Sequence, residues 1–139
     1  MSVKVSVIIP IYKVRNFIER CACSLFEQTL EDVEYIFVDD ASPDDSIDIL
    51  KSCIERYPSR QCQVTILTHE QNKGLPAARN TGLAVATGEY VFHCDSDDWM
   101  ELTMLEDLYL AAVENNADIV WCDWYLSFAQ NERYMRQPK

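Results

Sequence analysis

Hydrophobic positions along this chain switch repeatedly between two spacings. Residues 3–11 form an apolar run rich in β-branched side chains, closed by Pro10, which predicts a strand buried on both faces. Phe17, Ile18, Cys21 and Leu25 then recur at three and four residues, predicting a helix over 15–28. A second strand is expected around 35–38. Ser42-Pro43-Asp44-Asp45 reads as a helix start, with Ser42 as cap and Pro43 in the first helical position. Ile47, Leu50, Ile54 and Tyr57 give that helix a buried face, and Pro58 ends it. A third strand falls at 64–67, a polar loop at 69–74, and a helix at 75–85 that tolerates Pro76 in its first turn. Residues 90–94 read as a short buried strand, 101–115 as a helix, and 119–125 as a last strand. Strand and helix thus alternate from end to end. That order predicts an α/β domain, a mostly parallel twisted sheet with helices on both faces.

Composition narrows the picture. The chain has 139 residues, 48% of them hydrophobic, enough for one domain with a substantial core. Its net charge of −11 argues against a nucleic-acid partner, because phosphate backbones demand Lys and Arg. Every charged residue within 21–50 is acidic, and so is every one within 80–132. An acidic protein that takes a phosphorylated ligand needs a cation or local bases to offset repulsion. The six cysteines show no zinc spacing and read as reduced core thiols, which predicts a cytoplasmic setting. No run approaches the ~20 apolar residues of a membrane span.

Two strands end in carboxylates. Residues 35–38 run into Asp39 and Asp40, and residues 90–94 run into Asp95, Asp97 and Asp98. In a parallel sheet these charges fall on one edge, where open α/β sheets bind ligands. Three carboxylates within four residues repel each other and call for a hard divalent cation, Mg2+ or Mn2+, which keeps positions open for substrate phosphate. A solvated acidic turn is the bland alternative for Asp-Ser-Asp by itself. Trp99 and Trp121 read as core or rim, and His69 and His93 as structural.

Four segments together carry a resemblance: residues 5–12 (VSVIIPIY), 38–42 (VDDAS), 72–83 (NKGLPAARNTGL), and Gly88-Glu-Tyr with Asp95-Ser-Asp-Asp-Trp99. In order and spacing they resemble family 2 glycosyltransferases of the GT-A fold, over nearly the whole chain. The resemblance implies transfer of a sugar from a nucleotide-sugar donor, commonly a UDP-sugar, to a saccharide or lipid-linked acceptor, with inversion. It implies a Rossmann-like nucleotide-binding half over 1–128. Residues 129–139 would then be a polar, frayed tail at which a longer parent is cut, and the parent would act at the cytoplasmic face of a membrane.

The resemblance also implies roles. Pro10 and Tyr12 would pack against the uracil. Asp40 would accept the uracil N3–H, a bond cytosine could not supply, while Asp39 held the loop or shared the site. Lys73 and Gly74 would shape the neighbouring loop, and Arg79 would pair with the nucleotide or one of the acids. Asp95 and Ser96 would face the ribose, and Asp97, with Asp95, would hold Mn2+ or Mg2+, Asp98 ranking lower. The chain ends before the half in which family members carry an Asp or Glu general base; Asp123 would be a guess for that role. A nucleotidyltransferase would carry a Gly-rich basic loop after the first strand, where this chain has Tyr12-Lys-Val-Arg-Asn. A calcium loop over 95–106 lacks its oxygen ligand at Trp99 and its glycine at Met100. A receiver-type signalling domain would need its acid pair where this chain has Pro10-Ile-Tyr.

Overall fold

The computed structural model describes residues 2–128 and 131–135, with side chains described through Asp123. Its elements are β1 (Val5–Ile11), α1 (Ile18–Phe26), β2 (Val33–Asp39), α2 (Ser46–Glu55), β3 (Val64–Thr68), α3 (Leu75–Val85), β4 (Tyr90–His93), α4 (Met104–Glu114), β5 (Trp124–Phe128) and β6 (Asn131–Met135). A 3-10 turn, Pro58–Gln63, joins α2 to β3.

The first four strands form one parallel sheet in the order β3-β2-β1-β4. All seven residues of β1 are buried, because it lies between two neighbours and under helices on both faces. Val7, Ile9 and Ile11 pack with Tyr35 and Phe37 of β2 against α1, Leu50 of α2 and Leu105 of α4. Each such side chain contributes roughly 1.5–3 kcal/mol of burial. The other face packs Ile36 and Val38 against Ala78 of α3. There Gly82 lets helix and sheet approach closely, since a methyl on it would come 2.5 Å from Ile8 Cγ2.

Alternating elements and a parallel sheet match the expected fold class. Two local expectations do not hold. Ser42 is not the cap of α2, which starts four residues later. Ser42 Oγ instead accepts Lys13 N–H at 2.9 Å and donates to Asp44 Oδ1 at 2.6 Å. Asp44 Oδ1 in turn accepts the Ser46 N–H at 3.1 Å, while the residue at the N-cap, Asp45, makes no side-chain capping bond. The expected strand at 119–125 does not join the sheet. Residues 119–123 pair with no strand, and Ile119 and Trp121 are 76% and 65% exposed. Apolar β-branched sequence favours extension, but a strand also needs a partner edge. The partner comes later, where β5 pairs antiparallel with β6.

Candidate functional site at the carboxyl edge of the sheet

β1 has β2 on one side and β4 on the other, so chain order reverses there, at the position where open α/β sheets take ligands. Register brings the strand ends level: Ile11 pairs with Asp39, and Ile8 with His93. Tyr12, Asp40 and Asp95 follow those strands and converge. Between them lies an open cavity of about 440 Å³, within the size range of small-molecule sites. Pro10, Tyr12 and Asp40 line one part of it, and Asp95, Ser96 and Asp97 another. Gly74 lines it as expected; Val14, Asn72, Leu75 and Ala78 join without having been singled out from sequence. Asp39, Lys73 and Arg79 are not in its wall.

The two loops that carry Tyr12 and Asp40 are tied together. Lys13 and Ala41 both take positive φ, 54° and 56°, at the ends of β1 and β2, a backbone shape that costs side-chain-bearing residues energy. Ser42 and Ser46 hold that shape by accepting the N–H groups of Lys13 and Val14. Tyr12 is left 40% exposed, with Lys13 Nζ 5.3 Å from its ring centroid.

Asp40 is the most heavily engaged acid of the site. Its Oδ1 accepts from His69 Nδ1 and the Lys73 N–H, both at 2.8 Å. Its Oδ2 accepts from the Gly74 N–H at 2.9 Å and Asn72 Nδ2 at 3.0 Å. Burial pushes this carboxyl up, but the bonds from His69, Lys73 and Gly74 outweigh it and hold it below the ordinary range. A carboxylate offers about four acceptor positions, and protein donors take all of them. Asp40 holds the 69–74 loop with four hydrogen bonds on its two oxygens, and it lines the cavity where Asp39 does not. Asp39 uses Oδ1 to accept the Ser42 N–H at 2.9 Å, and its Oδ2 has no protein partner among the described residues. In sequence the two adjacent aspartates look alike, because the donors that engage Asp40 lie about thirty residues away.

The second group of acids sits on the loop after β4. Oxygens of Asp95, Asp97 and Asp98 lie within 4.8 Å of one another, so Asp98 joins the pair expected to hold a metal. Burial, then the charges of Asp97 and Asp95, push the Asp98 carboxyl up. Among the described residues the cation paired with the cluster is Arg79, whose Nη2 donates to Asp95 Oδ1 at 3.0 Å. Arg79 Nε is buried without a protein acceptor. Helix α1 shapes this loop from below. Ser24 Oγ accepts the Met100 N–H at 3.2 Å. Buried Gln28 donates to Glu101 O at 2.6 Å and accepts the Leu105 N–H at 3.0 Å. A cluster of carboxylates with one counter-charge fits a hard divalent cation.

Comparison with known proteins agrees with this geometry. The chain is 40% identical to the uncharacterized glycosyltransferase EpsJ of Bacillus subtilis (strain 168) over 131 residues, 94% of this chain and 37% of that protein. Its fold superposes on S. aureus TarS 1-349 in complex with UDP with a TM-score of 0.73 and 30% identity, covering 81% of this chain and 33% of that one. It also superposes on the mannosyltransferase PcManGT of Pyrobaculum calidifontis, solved in complex with GDP-Man and Mn2+, with a TM-score of 0.71 and 28% identity. That match covers 88% of this chain and 35% of the other. The chain spans well under half the length of these relatives. Among the described residues no helix is long and apolar enough to cross a membrane. The family model for glycosyl transferase family 2 matches residues 6–139, and the chain belongs to that family.

Proposed function

We propose that this chain is the donor-binding part of a glycosyltransferase that uses a nucleoside diphosphate sugar, with uridine as the preferred nucleoside. The observation that carries the reading is the single cavity at the reversal of strand order, with Tyr12 and Asp40 at one part of its wall and Asp95 and Asp97 at another. The nucleoside would lie against Tyr12. Asp39, the neighbour of the cavity-lining Asp40, would accept the uracil N3–H through the Oδ2 that no described residue occupies. Asp95, Asp97 and Asp98 would hold Mn2+ or Mg2+, which when bound neutralises charge on the leaving diphosphate. The binding of UDP by TarS and of GDP-Man with Mn2+ by PcManGT supports a nucleotide-sugar and a cation.

The acceptor would be a saccharide or a lipid-linked saccharide. Inverting transfer needs a base on the acceptor hydroxyl. Asp40 is saturated, and Asp95 and Asp97 belong to the cation cluster, so no carboxylate in the cavity wall is free for that task.

Base selection tests the reading. Cytosine presents an acceptor at N3, and an unpaired buried acceptor facing a carboxylate costs roughly 1–3 kcal/mol, so UDP should bind about five- to a hundredfold better than CDP. Asp39→Asn should shrink that ratio, because an amide can turn its donor toward cytosine. Titration calorimetry of both nucleotides against both proteins decides it, and an unchanged ratio removes Asp39 from base recognition.

A further inference from the structure

His69 lies outside every role assigned so far, yet both of its ring nitrogens are engaged. It follows β3, where its N–H donates to Asp39 O at 2.8 Å and carries the β2–β3 pairing one residue onward. Its side chain is nearly buried. Nδ1 lies 2.8 Å from Asp40 Oδ1, and since a carboxylate only accepts, Nδ1 carries the proton. Nε2 lies 2.7 Å from Thr81 Oγ1, on the second turn of α3. The ring therefore spans from the end of β2 to the helix on the opposite side of the loop. Asp40, fixed in this way, receives the N–H groups of Lys73 and Gly74, where the chain takes φ of +94° and α3 begins.

We propose that His69 is a positioning residue of the donor site: through Asp40 it sets the turn at Lys73–Gly74 that forms one wall of the nucleotide cavity. The inference rests on the donor-site reading above. A residue that only filled space would give stability and nothing else. A residue that orients an anchoring carboxylate gives affinity for what lies against the anchored turn.

Two amides distinguish these cases. Asn places its side-chain nitrogen near the position of histidine Nδ1, and Gln places its own near Nε2. His69→Asn keeps the donor to Asp40, whereas His69→Gln keeps only the reach to Thr81. The measurements are calorimetric Kd values for UDP with Mn2+ and Tm values for each protein. With the buried acceptor on Asp40 left unpaired, His69→Gln should weaken UDP binding roughly tenfold, and His69→Asn should stay within about threefold of wild type. Thr81→Val, which removes the hydroxyl that meets Nε2 and also bonds the Ala77 carbonyl, should weaken UDP severalfold and lower the Tm by a few degrees. Equal affinities for the Asn and Gln variants, or an unchanged affinity in Thr81→Val, overturn the inference alone. Failure of the wild-type chain to bind UDP with Mn2+ overturns the donor-site reading and this inference with it.

Discussion

Asp44 shows how one side chain can organise a functional loop without touching a ligand. Its Oδ1 accepts from Ser42 Oγ, Ser46 Oγ and the Ser46 N–H. Hydrogen bonds from Ser42 and Ser46 hold its carboxyl down at about 2, against an ordinary 3.8. A carboxyl lowered by folding contributes stability above its unfolded value and loses it as pH falls through its folded value. Wild type should therefore be more stable than Asp44→Ala by a constant amount above about pH 5. The gap should close between pH 3.8 and about 2. Thermal denaturation of both proteins across that range checks it, and a gap that persists at pH 2 would show that the serines do not act through the charge. The same loop shows a limit of reading by pattern. Ser42-Pro43 has every feature of a helix start, but the serine hydroxyl is used to tie down Lys13, and the helix begins only at Ser46, without a side-chain cap. Asp39 and Asp40 make the same point, since the donors that engage Asp40 come from 69–74.

At the scale of elements, spacing was highly informative where packing repeats and weak where it does not. β1, α3 and β4 fall where apolar periodicity puts them, because each is covered on a face that the period describes. The 3-10 turn Pro58–Gln63 has no period to read. Residues 119–123 have strand composition and no strand partner, so composition alone overstates the sheet. α3 is the element on which the site depends most, for it starts at Gly74 and carries Arg79 and Thr81. Its closeness to the sheet rests on Gly82. Alanine there would improve helix propensity by about 1 kcal/mol, but its methyl would meet Ile8 Cγ2 at 2.5 Å and Val38 Cγ2 at 3.4 Å. Both are branched side chains inside the sheet and have little room to yield. Overpacking of this kind costs roughly 1–3 kcal/mol, so Gly82→Ala should lower the Tm despite the better helix former. Displacement of α3 should also weaken UDP binding. A Tm at or above wild type would show that helix and sheet adjust freely.

For the whole molecule, the decisive feature is that the site's two groups of acids hang on different strands flanking β1. The group after β2 is built into the protein: Asp40 is buried and saturated, and Asp39 is partly used. The group after β4 has Arg79 as its counter-charge and an Asp98 carboxyl that burial, then its acidic neighbours, push up. Ligand fragments should report on the two groups separately. Uridine lacks the diphosphate and should bind weakly, with no dependence on Mn2+. UDP should gain affinity from Mn2+, and chelation by EDTA should remove the gain. Asp97→Ala should abolish that gain and leave uridine nearly unchanged, whereas Asp39→Ala should weaken both ligands by a similar factor. The comparison is a double-mutant cycle with the diphosphate as one partner. It carries its own control on folding. Removing one of three clustered carboxylates relieves repulsion, so Asp97→Ala without metal should melt at or above the wild-type temperature. If it melts well below, the cluster is part of the scaffold rather than a cation site. If uridine binding falls along with the metal-dependent gain, the two halves of the cavity are not independent, and the base and diphosphate cannot be assigned to separate strands.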